Sequence, residues 1–252
     1  EVELELVEQD IRNYVSLKLA ETRRQYELRE SWPTPSSIHD LARPSSGLFI
    51  FAATSIKYIE DRAYSDPCRQ LKHLLDNTAT AMGKSSPFKR LDELYTQVLT
   101  LAFPEVPASF LGLLKMVLGS IVYLQDPLSP MALERLLEPA AGRIRETFLH
   151  LHAVLIVPEN ESNIIRLLHP SFANFITDPA RCSISKYIVK AEEQHTLLAQ
   201  SCLVVMKDLS RDICQIQNPP LLNSEVTDLP ARIVKHIPAH VQYACSHWAY
   251  HV

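Results

Sequence analysis

Backbone punctuation is what most limits this chain: five glycines against 17 prolines in 252 residues. Tight-turn sheets and phosphate-cradling loops need clustered glycines, because the backbone must reach φ > 0 or approach a ligand closely. Gly47, Gly83, Gly112, Gly119 and Gly142 are far apart. A proline-rich, glycine-poor chain reads as helices started and stopped by prolines. The expected class is therefore mainly α.

The segments bear this out one at a time. Val7, Ile11, Tyr14, Val15 and Leu19 recur at helical spacing, which predicts an amphipathic helix from Val7 to about Tyr26. Trp32-Pro33-Thr34-Pro35 ends it, and Ser36 can cap a short helix reaching about Arg43. Leu48 to Ile59 is apolar nearly all round; periodicity cannot choose between buried helix and strand there, and its length favours a helix to about Arg62. Pro67 starts a helix with Leu71, Leu74 and Leu75 on one face. Ser86-Pro87 is a cap and first-turn pair for a helix to Phe103, with Leu91, Leu94, Tyr95, Val98 and Leu99 inward.

The grammar then changes. Helices are expected at Ser109–Leu124, from Ser129-Pro130 to Pro139, and from Ala140 to about His152. Val154–Val157 and Ile164–Leu168 are apolar and β-branched, joined by the turn cluster Pro158–Asn163, and read as paired strands. Three helices followed by a two-stranded wing is the order of a winged-helix domain. Pro170 suits the first position of a further helix, which places His169 where a strand hands over to a helix. A histidine there is either satisfied inside the fold or held rigidly toward whatever docks on that corner. Lys190 to Ile213 reads as one long helix with Ala191, His195, Leu198, Cys202 and Met206 on a stripe, and His240 to Val252 as a final helical piece.

Charge and cysteine usage exclude several functions. Net charge is -4, and the wing carries Glu159 and Glu161 while the would-be recognition helix, Met131–Glu138, carries Glu134, Arg135 and Glu138. Phosphate repulsion argues against nucleic acid as a partner. No membrane span and no leader are expected. Five scattered cysteines without CxxC spacing fit reduced thiols and a cytoplasmic protein. Gly83-Lys84-Ser85 resembles the tail of a phosphate-binding loop, but Thr78 stands where the partner glycine would be, so it reads as a helix end. His236/His240 and His247/His251 have i,i+4 spacing with Cys245 between; Pro238 interrupts the first pair, so surface or packing histidines are expected and no metal site is assigned. Nothing local marks a nucleophile or a catalytic triad, so no catalytic residue is assigned.

An ordered set of segments then resembles one family. DIRNYV at Asp10, SSGLFIFAATSIKYIED at Ser45, LDELYTQVL at Leu91, VLGSIVYLQDPLSPMALERLL at Val117, LHAVLIVPE at Leu151, RLLHPSFANFITD at Arg166 and DLPARIVKHIPAHVQYACSHWA at Asp228 are similar to the region that follows the nucleotide-binding core in NACHT-type STAND ATPases. That is the NOD-like-receptor class of signalling and innate-immunity proteins, and the likeness is greatest to the fungal, basidiomycete-type set. The resemblance implies a first helical domain over 1–103, a winged-helix domain over 104–178, and a second helical region over 179–252 leading to a repeat domain. It implies that His169 contacts the β-phosphate of bound ADP and helps hold a closed state. Gly47-Leu48-Phe49-Ile50 resembles the family's Gly-Leu-Pro-Leu segment, with Phe49 where the adenine-packing proline would be, so a plain buried helix is the expectation there. Walker A and Walker B motifs are absent and are expected upstream in the same polypeptide. The chain is therefore expected to be non-catalytic by itself and to bind no cofactor alone, ADP or ATP belonging to the longer protein. Expected partners are the upstream core, the downstream repeats and, on activation, further copies of itself. The alternative is an α-helical interaction scaffold that never meets nucleotide; a His/Cys metal protein is a third, weaker option.

Overall fold

A computed structural model describes residues 2–45, 47–80, 87–137, 144–217 and 220–252. Among them are twelve α-helices and one two-stranded antiparallel sheet, so the protein is mainly α. In chain order these are α1 (Val2–Gln25), α2 (Pro35–Ala42), α3 (Phe49–Ile59), α4 (Pro67–Thr80), α5 (Pro87–Ala102), α6 (Ala108–Tyr123), α7 (Pro130–Leu137), α8 (Ile144–Phe148), β1 (Leu155–Ile156), β2 (Arg166–Leu167), α9 (Pro170–Thr177), α10 (Ala191–Val205), α11 (Leu229–His236) and α12 (Ala239–His247), with short 3₁₀ turns between. Five of these helices, α2, α4, α5, α7 and α9, begin on a proline, as a chain punctuated this way requires. No helix among the described residues is long and apolar enough to cross a membrane.

The chain divides into two compact units. The first comprises Glu1–Pro107, Phe148–Ile156 and Leu167–Ile188. Its core is built from the apolar stripes of α1 (Ile11, Val15, Leu19), α3 (Phe51, Ile56, Ile59), α4 (Leu71, Leu74) and α5 (Leu91, Leu94, Val98, Leu99), closed by Phe172, Phe175 and Ile176 of α9. Each such side chain contributes roughly 1.5–3 kcal/mol by leaving water. Gly47 opens α3 at φ 83, a left-handed conformation that a β-carbon would strain. The far end of α5 is tied down by phenols. Tyr187 donates to the carbonyls of Leu99 (3.2 Å) and Phe103 (3.1 Å), and Tyr64 donates to that of Leu101 (3.1 Å). The Leu99 carbonyl also accepts from the Phe103 N–H at 3.0 Å, and the phenols add side-chain donors at and just beyond the last turn of α5, where main-chain carbonyls run out of helical partners.

The second unit comprises Ala108–Thr147, Val157–Arg166 and Val189–Val252. Here α10 packs on α6, α7 and α12. The buried stripe of α10 is Gln194, Leu198, Cys202 and Val205. Gln194 reaches α6, donating to the Ser120 hydroxyl at 2.9 Å, and the close approach is possible because residue 119 is glycine. A β-carbon on Gly119 would sit 2.3 Å from Gln194 Oε1 and 2.9 Å from Val189 Cγ1.

Several local expectations are corrected by cap chemistry. Thr34, not Ser36, caps α2: its hydroxyl accepts from the Ser37 N–H at 3.1 Å, which puts Pro35 at the first position. The stretch expected as one helix from Lys190 to Ile213 ends at Val205 and passes into a 3₁₀ turn over Met206–Asp208, and His195 lies beside the buried stripe instead of on it. The two expected strands shrink to two residues each. The order of α6, α7, α8, β1 and β2 is three helices followed by a hairpin, and residues 104–178 contribute to both compact units. Gly83-Lys84-Ser85, the Ser86 cap, Glu138, Pro139, the start of the helix expected from Ala140, Gly142 and Pro219 lie outside the described residues.

Candidate functional site

The corner at His169 is set by its neighbours in sequence. β2 delivers an extended backbone, so His169 sits at φ -156, ψ 145 as the N-cap residue of α9. Pro170 follows with φ already suited to a helix and with no N–H to satisfy. The first donor that needs a partner is the Ser171 N–H, and the imidazole supplies it: Nδ1 accepts at 3.1 Å. The Ser171 hydroxyl lies 2.8 Å from the same nitrogen. The ring is exposed, and Nε2 has no hydrogen-bond partner among the described residues.

Behind the serine stands Tyr95. It is 1% exposed, and its phenolic oxygen is 2.8 Å from Ser171 Oγ. Phe172 and Phe175 hold its ring at centroid distances of 5.2 and 5.4 Å, the first edge-on. Burial raises the phenol above its ordinary range, against the smaller opposing effect of its hydrogen bond with Ser171. One turn earlier on α5, Asp92 accepts two bonds from Arg181, Nε to Oδ2 at 3.1 Å and Nη2 to Oδ1 at 2.7 Å. This half-buried fork raises the guanidinium further and commits Arg181 to Asp92. Asp92 and Arg181 act on Tyr95 with opposite signs. All of these groups belong to the first unit.

Chemically, the corner offers a single imidazole nitrogen on a rigid mount. Serine and histidine lie at the distance of an activated hydroxyl, but the serine also bonds Tyr95, and no carboxylate among the described residues orients the ring as a general base would require. Recognition of a ligand atom by one hydrogen bond fits this geometry better than bond making.

The other candidates separate. Phe49 at the start of α3 is 46% exposed and lies against Tyr14, with ring centroids 4.7 Å apart, while the rest of α3 supplies buried residues. In the second unit, His236 ends α11 and His240 sits buried in α12 beyond the Pro238 break. His247 Nε2 pairs with Asp126 at 2.7 Å. His251 is buried at 3% exposure between His195 (Nδ1 to Nδ1, 2.9 Å) and the Tyr243 hydroxyl (2.8 Å). No group of three or more His, Cys, Asp or Glu side chains is placed to hold a metal ion among the described residues.

Tyr95 and Ser171 were not singled out in the sequence as functional. The serine half was readable, since His-Pro-Ser puts an N–H where an N-cap side chain accepts. The tyrosine half was not, because 76 residues separate the partners. No protein-family model, curated protein or solved structure matches this chain.

Proposed function

We propose that this chain is the regulatory, non-catalytic part of a NACHT-type STAND signalling ATPase of the cytoplasm, in which His169 reads the phosphate of ADP held by an upstream nucleotide-binding core. The observation that supports this reading is the state of the His169 ring: exposed, fixed on its Nδ1 side by Ser171, and without a partner at Nε2. A rigid imidazole donates to a phosphoryl oxygen without further ordering of the side chain, and it loses that bond when the core moves away. ADP would then favour a closed arrangement, and its replacement by ATP would expose surfaces for self-association.

The test uses the longer polypeptide that carries the core. His169→Ala should speed ADP release and raise the assembled fraction at rest, read by labelled-nucleotide dissociation and by mass. Unchanged ADP retention would refute the phosphate role. The chain described here, titrated alone by calorimetry, should bind ADP or ATP no more tightly than about millimolar, about 4 kcal/mol.

One observation favours the scaffold reading instead. The second unit exposes Leu203, Val204, Leu209, Leu222 and Val234, the last at 76%. Apolar side chains in such number suit a protein partner. Under that reading the His169→Ala variant keeps its nucleotide behaviour intact.

A further inference from the structure

The phosphate reading leaves open which form of the His169 ring meets the ligand, and the hydrogen bonds around the other nitrogen decide it. Two groups lie at Nδ1. The Ser171 main-chain N–H can only donate, and it does so at 3.1 Å. The Ser171 hydroxyl, at 2.8 Å, can donate to Nδ1 or accept from it. Were the hydroxyl an acceptor, a proton on Nδ1 would face the opposing main-chain N–H. The direction of the hydroxyl therefore follows from the ring: an Nδ1 that accepts from the Ser171 N–H has no proton to give, so the hydroxyl donates to it as well. A hydroxyl that gives its proton to Nδ1 meets the buried Tyr95 phenol, 2.8 Å behind it, with its lone pairs. The order of donation is Tyr95 to Ser171 to His169.

We propose that Tyr95 and Ser171 are positioning residues that hold His169 as the Nε2–H tautomer, so that the exposed nitrogen is an N–H donor and takes only an acceptor, of the anionic phosphoryl-oxygen class. The proposal rests on the functional reading for the identity of the ligand, but not for the tautomer. Its consequence is a link between α5 and the ligand. Tyr95 touches no ligand, yet its hydroxyl backs the Ser171 hydroxyl that, together with the Ser171 N–H, leaves the ring proton on the exposed nitrogen. Asp92, one turn away on the same helix, spends both carboxylate oxygens on Arg181.

The test needs no nucleotide. In chain labelled with ¹⁵N-histidine, two-bond ¹H–¹⁵N correlation spectra near neutral pH distinguish a pyrrole-type from a pyridine-type nitrogen, and His169→Gln assigns the signals. The expected wild-type pattern is pyrrole-type Nε2 and pyridine-type Nδ1. Tyr95→Phe should move His169 toward a mixture of tautomers without loss of the folded spectrum. Ser171→Ala should do the same, and Ser171→Thr should restore the wild-type pattern. A proton on Nδ1 in the wild type overturns the proposal, as does a Tyr95→Phe spectrum with His169 unchanged. If Tyr95→Phe disturbs the fold, Ser171→Ala against Ser171→Thr makes the same discrimination. A wild-type Nε2–H ring combined with unaltered ADP retention in His169→Ala would leave the positioning intact and remove the phosphate reading, so the two failures are separable.

Discussion

His169 and His251 are the same side chain put to opposite uses in the two units. His251 spends both ring nitrogens inside the protein: Nδ1 on His195 at 2.9 Å and Nε2 on the Tyr243 hydroxyl at 2.8 Å, with the ring 3% exposed. The Gln125 N–H donates to the Tyr243 oxygen at 3.2 Å, which leaves the phenolic proton free to go to His251. Each ring nitrogen of His251 thus has a partner inside the protein. His169 spends one nitrogen and keeps the other for solvent or a ligand. The difference teaches where function can reside. A histidine with both nitrogens satisfied internally is a structural part, whereas one with a single nitrogen committed is oriented without being used up.

The largest effect should come from removing the structural histidine. His251→Ala leaves the buried Tyr243 proton and His195 without their partners and opens a void, which should lower stability by about 2–4 kcal/mol. Chemical denaturation measures it directly; a loss under about 0.5 kcal/mol would put His251 in the same class as a surface residue. Next is Gly119→Ala. The added methyl meets Gln194 Oε1 at 2.3 Å and Val189 Cγ1 at 2.9 Å, so Gln194 must swing away from Ser120 and Val189 must repack, a loss of roughly 1–3 kcal/mol. Retained stability in that variant would mean that these two side chains can be rerouted at little cost.

Acid should then act on the second unit. The folded-state pKa values of His251 and His240 lie below the ordinary value of 6.5. Burial is the main cause for both. His195 and His247 add to it at His251, and Arg135 adds to it at His240 against an opposing Asp208. Each fold-state ring prefers to be neutral, so its contribution is complete above about pH 6.5 and declines as pH falls from there toward the folded-state values. Thermal melts should shift downward between pH 7.5 and pH 5.5, and His251→Gln should flatten part of the slope. Asp61 of the first unit works with the opposite sign: burial raises its carboxyl, so its contribution is greatest at low pH and is lost as pH rises. The difference between wild type and His251→Gln isolates the histidine. A slope identical in both would remove His251 from the acid response.

The same contrast explains what could be read in advance. Helix starts were legible because prolines mark them, and the inward face of α5 was legible because Leu91, Leu94, Tyr95, Val98 and Leu99 repeat at helical spacing. His169 at the strand-to-helix corner was legible for the same local reason. The length of α10 was not, since no proline or glycine between Lys190 and Ile213 breaks a helix, yet the backbone tightens into a 3₁₀ turn at Met206 and is extended at Leu209. The polar chains were invisible too. Tyr95 meets Ser171 across 76 positions and His195 meets His251 across 56, and no local pattern carries such pairings. Sequence placed the imidazole, and only the fold shows which of its nitrogens is spoken for.

The smallest expected change in stability is the one that separates cap from reader. His169→Ala removes the side chain that accepts the Ser171 N–H, and an N-cap of this kind is worth about 1 kcal/mol. Asparagine is as good an N-cap acceptor, so His169→Asn should recover most of that loss in a denaturation experiment. It carries no ring nitrogen where Nε2 stood, so ADP in the longer polypeptide should still escape faster from the asparagine variant. Stability restored together with nucleotide retention would reduce His169 to a helix cap. Stability restored with faster release would show that the ring's exposed nitrogen, and not the order of α9, holds the ligand.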